Sequence, residues 1–350
     1  MKILIIGKFY TEGFAQHIKE TFIEMGNEVI TYDYGVSYET KKGVINYRLR
    51  QFKSAFFEIY KRSNFFEENQ LKYLINLISS NLPDIILSCH DILTPKQIIE
   101  IKKRTKAPII LWYPDHIGLF NRAMFLNADY DFMFFKDPYI VQLLKNELGK
   151  KNTYYLPECC NPKYHHPVKL SEADIEKYSC DITTAGNLHA SRVAVFEHLK
   201  AYNCKIWGNP APVWLNVSKI SKMIRNEFVA NEEKSKAFIA AKIVINNLQP
   251  GEIWSVNVRT FEIAAAGGFQ LVNYRKSLEK LFKIDEEIVC FNDIGDLMNK
   301  IDFYLNNIEQ RILISKKASE RALRNHTYSK RLINLLNIIN GGNSIYTIED

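Results

Sequence analysis

Lys2-Ile-Leu-Ile-Ile-Gly7 decides the fold class. The run is apolar at every position from Ile3 to Ile6, as a strand covered on both faces of a parallel sheet requires. Gly7 to Gly13 reads as a loop. Phe14 to Met25 has helical apolar spacing and stops at Gly26, and Glu28-Val-Ile-Thr-Tyr32 is the next strand. Strand, helix, strand is a βαβ unit and predicts a Rossmann-like α/β domain. The first turn has neither G-x-G-x-x-G nor the Walker pattern, so it is not expected to hold a dinucleotide or a triphosphate.

Outward from there the pattern repeats. Pro83 to Asp91 and Pro108 to His116 are buried strands with polar residues at their carboxyl ends, joined by a helix over 95–103. As consecutive parallel strands they would bring His90, Asp91, Asp115 and His116 to one sheet edge, where open α/β sheets bind ligands. A strand at 131–135, a helix at 138–148 and a strand at 153–156 follow. A proline-bearing linker then runs from Pro157 to about Ser179. The second half restarts with strands at 180–185, 205–208, 227–229, 243–246, 269–272 and 287–291 and helices at 191–201 and 232–241. Helices close the chain from about 294 to 339. The expected fold is α/β: two Rossmann-like parallel α/β/α domains in tandem with a cleft between them and C-terminal helices returning toward the first. The expected divisions are 1–165, 166–325 and a C-terminal helix and tail at 326–350.

The chain has 350 residues, enough for two cores. It is 47% hydrophobic and 24% charged, ordinary for a globular protein. A formal charge of +7 and a pI near 8.9 suit a partner with some negative charge but fall short of a dedicated nucleic-acid binder. The six cysteines form no C-x-x-C pair and read as free thiols of a reducing compartment. No secretory signal and no 18-residue apolar window occurs, so a cytoplasmic protein is expected, with peripheral membrane contact the one qualification. That qualification comes from 41–62, where seven basic residues accompany the single acid Glu58. Leu49, Phe52, Phe56 and Tyr60 have helical spacing there. Such a helix suits an anionic membrane surface or an acidic acceptor, or else packs on the core with a solvated basic face.

Asn257-Val-Arg-Thr-Phe-Glu-Ile-Ala-Ala-Ala-Gly-Gly268 predicts a short helix stopped by glycine. Arg259 and Glu262 share one face near its N-terminus, where backbone N–H groups favour an anion such as a diphosphate. The arginine suits phosphate oxygens and the carboxylate suits a ribose diol. The plainer reading is an ordinary helical ion pair. Asp129-Tyr-Asp131 has the letters of a metal-binding D-x-D but opens a buried strand, and is read as structural. His165-His166 reads as surface, with no completed metal set around it.

Residues from about 150 to 335 resemble a GT-B glycosyltransferase, closest to the spore-maturation CgeB-like group. The resemblance rests on Tyr155-Leu-Pro157 with Asn161-Pro162, Asp181 through Ala185-Gly-Asn187 with Arg192, and Ile206-Trp-Gly208. It continues through Asn257-Val-Arg-Thr-Phe-Glu262 with Gly267-Gly268, and His326-Thr-Tyr328 with Arg331. It implies a nucleoside-diphosphate-sugar donor held by Gly186, Asn187, Arg192, Gly208, Asn257, Arg259 and Glu262, with Phe228 bordering the base. The acceptor would be a hydroxyl of a surface glycan, a lipid-linked glycan or a protein. Trp254 stands where many retaining members carry a second glutamate, which favours inversion. A weaker resemblance, to phage DNA β-glucosyltransferases, makes Asp115 the candidate catalytic base, with His90, Asp91 and His116 on the acceptor side. No metal and no other cofactor is required by these residues. A GT-B sugar-nucleotide epimerase, a DNA-modifying glucosyltransferase and a non-catalytic nucleotide-sugar-binding protein are the alternatives, DNA being the least favoured acceptor.

Overall fold

The computed structural model describes residues 1–35, 49, 52, 53, 56, 59, 60, 63–120 and 122–346. They form two compact units, one of Met1–Pro157 with Leu332–Asp350 and one of Glu158–Arg331. The first contains β1 (Lys2–Gly7), β2 (Glu28–Asp33), β3 (Ile85–Ser88), β4 (Ile109–Tyr113), β5 (Phe132–Phe135) and β6 (Thr153–Tyr155). All neighbours are parallel, in the order β2-β1-β3-β4-β5-β6. The helices α1 (Phe14–Glu24), α2 (Asn64–Asn81), α3 (Pro95–Lys102) and α4 (Pro138–Asn146) cross between strands. Every residue of β3 and β4 is buried, which is why their apolar runs lack alternation. α3 starts at a capping box, Thr94 with Gln97, behind Pro95 in the first turn. The Gln97 amide then donates to Gln70 of α2 at 2.9 Å, so one cap also joins two helices.

The second unit holds β7 (Cys180–Ala185), β8 (Cys204–Trp207), β9 (Ala241–Asn246), β10 (Gln270–Asn273) and β11 (Val289–Phe291), in the parallel order β11-β10-β9-β7-β8. Around it lie α5 (Glu172–Tyr178), α6 (Ala190–Glu197), α7 (Glu232–Ala240), α8 (Val258–Ala266), α9 (Leu278–Leu281), α10 (Ile294–Asn306) and α11 (Ile308–Asn325). The last helix, α12 (Tyr328–Ile339), starts in the second unit, and its residues from Leu332 belong to the first. In both units the first strand lies between the second and third, so the crossover direction reverses beside it. Ala264, Ala265 and Ala266 are fully buried. Their small side chains let α11 approach closely enough for Ser319 to donate to the Ala265 carbonyl at 3.1 Å.

Four expectations need correction. The units divide at Pro157/Glu158 rather than at 165/166, because the linker is bonded into the second unit. Cys160 N–H donates to the His326 carbonyl at 2.9 Å, Tyr328 N–H to the Cys160 carbonyl at 3.1 Å, and Arg331 to the Glu158 carbonyl at 3.1 Å. Within that linker lies α5, opened by the capping box of Ser171 with Asp174. Glu227 to Val229 is irregular chain instead of a strand. His165 is buried, 1% exposed, and accepts from Asn161 N–H at 3.1 Å, so it is no surface residue.

Most of the basic stretch at 41–62 lies outside the described residues. Of it, Leu49, Phe52, Lys53, Phe56, Ile59 and Tyr60 are described as helical. Phe52 and Phe56 are 75% and 69% exposed. The acids of Asp129-Tyr-Asp131 are structural: Lys102 bonds both at 2.9 Å, and Asp131 also accepts from Ile109 N–H at 2.7 Å. The six cysteines are buried and free of disulfides. Among the described residues, no helix is long and apolar enough to cross a membrane.

Candidate functional site

The second unit gathers polar groups at the carboxyl ends of β7, β8 and β9, beside its reversal of strand order. β7 ends in Ala185-Gly186-Asn187, where Gly186 has φ +118°, a conformation that excludes most side chains. A Cβ on Gly186 would lie 3.3 Å from Arg259 Nη1 and 3.5 Å from Arg192 Nη1. A Cβ on Gly208, just past β8, would lie 2.4 Å from the Gly186 carbonyl oxygen. The two glycines therefore let two turns and two guanidiniums meet.

Among the described residues, neither arginine has a carboxylate as hydrogen-bond partner. Arg259 donates from Nη1 to the Ala185 carbonyl at 3.1 Å. Arg192, fully buried in the first turn of α6, donates from Nη1 to the Asn187 carbonyl at 2.8 Å and from Nε to Asn247 Oδ1 at 3.1 Å. Burial lowers the Arg259 pKa, against the opposite pull of Glu262 and Glu158. A guanidinium nevertheless stays charged in a protein. Two charges of the same sign thus face one glycine, and their hydrogen bonds among the described residues go to neutral acceptors. Arg192 Nη2 and Asn247 Nδ2, on side chains 0% and 1% exposed, have no hydrogen-bond partner among the described residues. Burying a donor unpaired costs about 1–3 kcal/mol, more for a charged group.

α8 is aimed at the same place by its cap. Asn257 Oδ1 accepts from Thr260 N–H at 3.2 Å, and its amide exchanges hydrogen bonds with Asn246, the last residue of β9, at 3.1 and 3.2 Å. Asn257 is thereby spent on positioning. Glu262 is 4% exposed and turned inward, with Oε2 3.0 Å from Lys234 Nζ and Oε1 3.6 Å from His165 Nε2. Asn187 is exposed and accepts from Asn209 Nδ2 at 3.0 Å. Phe228 is half exposed, in a loop pinned to the site where Gly208 N–H donates to the Glu227 carbonyl at 2.8 Å.

In the first unit, β3 and β4 do bring the expected residues to one edge. Asp115 is the open one, its side chain 39% exposed with Oδ2 3.7 Å from His90 Nε2. Asp91 accepts from Met124 N–H at 2.6 Å and so holds the loop that follows β4; burial pushes its carboxyl up to about 6. His116 accepts from Gly118 N–H through Nδ1 at 3.1 Å and caps a short turn. Asp91 and His116 each hold a backbone N–H.

Sequence reasoning missed two groups. Asn247 could have been found, because Asn246-Asn247 directly ends an apolar strand at a sheet edge. Lys234 carries no such signal; it is one lysine in a charged helix, distinguished only by burial against Glu262.

A family described as glycosyl transferase-like matches residues 192–337. No curated protein sequence matches the chain. Among solved structures, a sucrose-phosphate synthase from Thermosynechococcus elongatus superposes with a TM-score of 0.67 at 11% identity, covering 97% of this chain and 98% of that one. A glycosyltransferase from Rickettsia africae gives 0.67 at 12% identity with the same coverage. HepE of Anabaena in complex with UDP-glucose gives 0.65 at 10% identity, covering 97% of this chain and all of that one. The fold is GT-B: two parallel-sheet α/β domains.

Proposed function

We propose that the protein is a glycosyltransferase that moves a sugar from a nucleoside-diphosphate-sugar donor to a hydroxyl acceptor. One observation carries this reading: Arg192 and Arg259 converge on Gly186 with only neutral hydrogen-bond acceptors, next to two unpaired buried donors. A diphosphate supplies the missing negative charge and acceptor oxygens at once. The match of residues 192–337 to glycosyl transferase-like proteins and the UDP-glucose complex of HepE support the choice of donor class.

In this reading Asp115 takes the proton of the acceptor hydroxyl as its oxygen attacks the anomeric carbon. The bond from that carbon to the diphosphate breaks with inversion, and the leaving diphosphate keeps the electron pair. Arg192, Arg259 and the N-terminus of α8 stabilise the charge that develops on it, so no metal is called for. His90, 3.7 Å from Asp115, orients the base. Glu262 serves the ribose after exchanging its Lys234 contact for the diol. Assignment to the CgeB-like group, a glycan, lipid-linked or protein acceptor, and an anionic membrane surface for 41–62 belong to the same proposal.

A thermal-shift panel of UDP-, GDP-, dTDP- and CMP-sugars, followed by a transfer assay with the stabilising donor, tests it. The expected result is a raised melting temperature with one nucleotide class and release of its diphosphate in the presence of acceptor. No stabilisation by any of them would overturn the proposal.

A further inference from the structure

Asn247 makes an unusual hydrogen bond for a neutral side chain at a cationic site: its Oδ1 accepts from Arg192 Nε at 3.1 Å. An arginine nitrogen can only donate, so this bond fixes which end of the amide faces the guanidinium. Nδ2 must therefore point the other way, and it does so without a hydrogen-bond partner among the described residues, on a side chain only 1% exposed. Arg192 Nη2 is left in the same condition, on a fully buried residue. The chain directly before Asn247 is held by side-chain hydrogen bonds. Asn246 is locked to Asn257 and to Thr260, whose Oγ1 lies 3.0 Å from its amide nitrogen, so Asn247 is carried on a strand end that α8 holds in place. Rigid support of an unpaired donor is what a preorganised binding group requires.

We infer that Asn247 is a direct ligand of the donor's diphosphate, giving a hydrogen bond from Nδ2 to a phosphate oxygen beside the one given by Arg192 Nη2. This rests on the reading of the Gly186 site as a diphosphate site, and it adds to the two arginines a neutral contact. The amide is the fixed hinge of the pair. Its oxygen sets the rotation of Arg192 and its nitrogen reads the ligand, so one side chain both positions the charge and shares its anion. An aspartate at this position would neutralise Arg192 and remove the donor, whereas an alanine would remove both bonds without adding charge.

The test uses the full-length protein and inorganic pyrophosphate, with UDP as the second probe. Affinities are measured by calorimetry for the wild type and Asn247→Ala. Asn247→Ser stands in if the alanine variant does not retain the wild-type melting temperature. The side-chain amide signal of Asn247, assigned by its loss in the variant, is followed by NMR during the titration. The expected result is a loss of about tenfold to a hundredfold in affinity for both probes, the range for a hydrogen bond to a charged acceptor, with the amide signal moving on binding. Unchanged affinity in the variant overturns the inference. Weakened affinity with an unmoved amide signal also overturns it, since Asn247 would then act only by holding Arg192. A wild type that binds neither probe removes this inference and the donor site together. Pyrophosphate binding with the expected loss, but no sugar transfer from any donor, would sink the proposed activity and leave the anion contact standing.

Discussion

The edge formed by β7 and β9 and the edge formed by β3 and β4 are reached by the same topology, yet their side chains are used in opposite ways. In the second unit, Arg192 and Arg259 bond, among the described residues, only backbone carbonyls and one amide oxygen. In the first unit, the charged and titratable groups are mostly turned back on the chain: Asp91 holds Met124 and His116 holds Gly118. Asp115, paired loosely with His90, is the exposed remainder. The same backbone layout thus carries two guanidiniums bonded to neutral acceptors in one unit and a partly exposed carboxylate in the other. Strand order locates a site; only the hydrogen-bond partners say what the site can do.

The largest effect separating the two edges is expected from Asp115→Asn. It should lower the transfer rate by roughly 10²–10⁴-fold, the usual contribution of a general base, while donor affinity stays unchanged. A variant that loses donor binding instead would place Asp115 in the wrong role. Next comes Gly186→Ala, which forces a side chain into the left-handed region 3.3 Å from Arg259 Nη1. A cost of about 1–2 kcal/mol in the folded state and roughly tenfold weaker donor binding are expected, read by urea melts and calorimetry. The matching change in the first unit, His116→Asn, keeps a capping acceptor and should leave donor binding where it was.

A smaller contrast lies in acid response. The Asp91 carboxyl is raised to about 6 from an ordinary 3.8, chiefly by burial. Between those values the folded state binds more protons than the unfolded, so this group's effect on stability is adverse as pH rises through the window. Asp91→Asn should therefore stabilise the first unit more at about pH 8 than at about pH 4, as seen by urea melts at the two pH values. In the second unit His326 is lowered to about 3, chiefly by burial and then by Arg331, with Nε2 2.7 Å from the Leu281 carbonyl and Nδ1 3.0 Å from Arg331. Here the unfolded state binds the extra proton. The stability that neutral His326 contributes is fully present above the ordinary histidine value of 6.5 and is lost as pH falls toward 3. His326→Gln should shrink that acid loss.

Much of the fold was legible because buried parallel strands leave unalternating apolar runs, as at Ile3 to Ile6 and Ile109 to Trp112. The reading failed where polar sequence hides order. Ser171 to Tyr178 looks like linker because α5 is held by a cap and has little apolar surface. His165 looks like surface because its burial depends on contacts with Asn161 and Glu262 that are distant or irregular in sequence. Arg259 was legible from its place near a helix N-terminus, and Arg192 and Gly186 only through the resemblance to GT-B glycosyltransferases. That the hydrogen bonds of the two arginines avoid carboxylates was not legible, and neither was the contact of Glu262 with Lys234, because both depend on which of many neighbours a side chain meets. Asp91 and His116 stand at the expected edge, and the backbone N–H that each holds was not legible.

The central claim is that the diphosphate of a nucleotide donor lies against Gly186 between the two arginines. Calorimetric titration of UDP, or of whichever nucleoside diphosphate stabilises the wild type, into the wild type and Arg259→Ala tests it most directly. The account predicts at least a roughly hundredfold loss of affinity in a variant that melts where the wild type does. Equal affinity in the two proteins would contradict it.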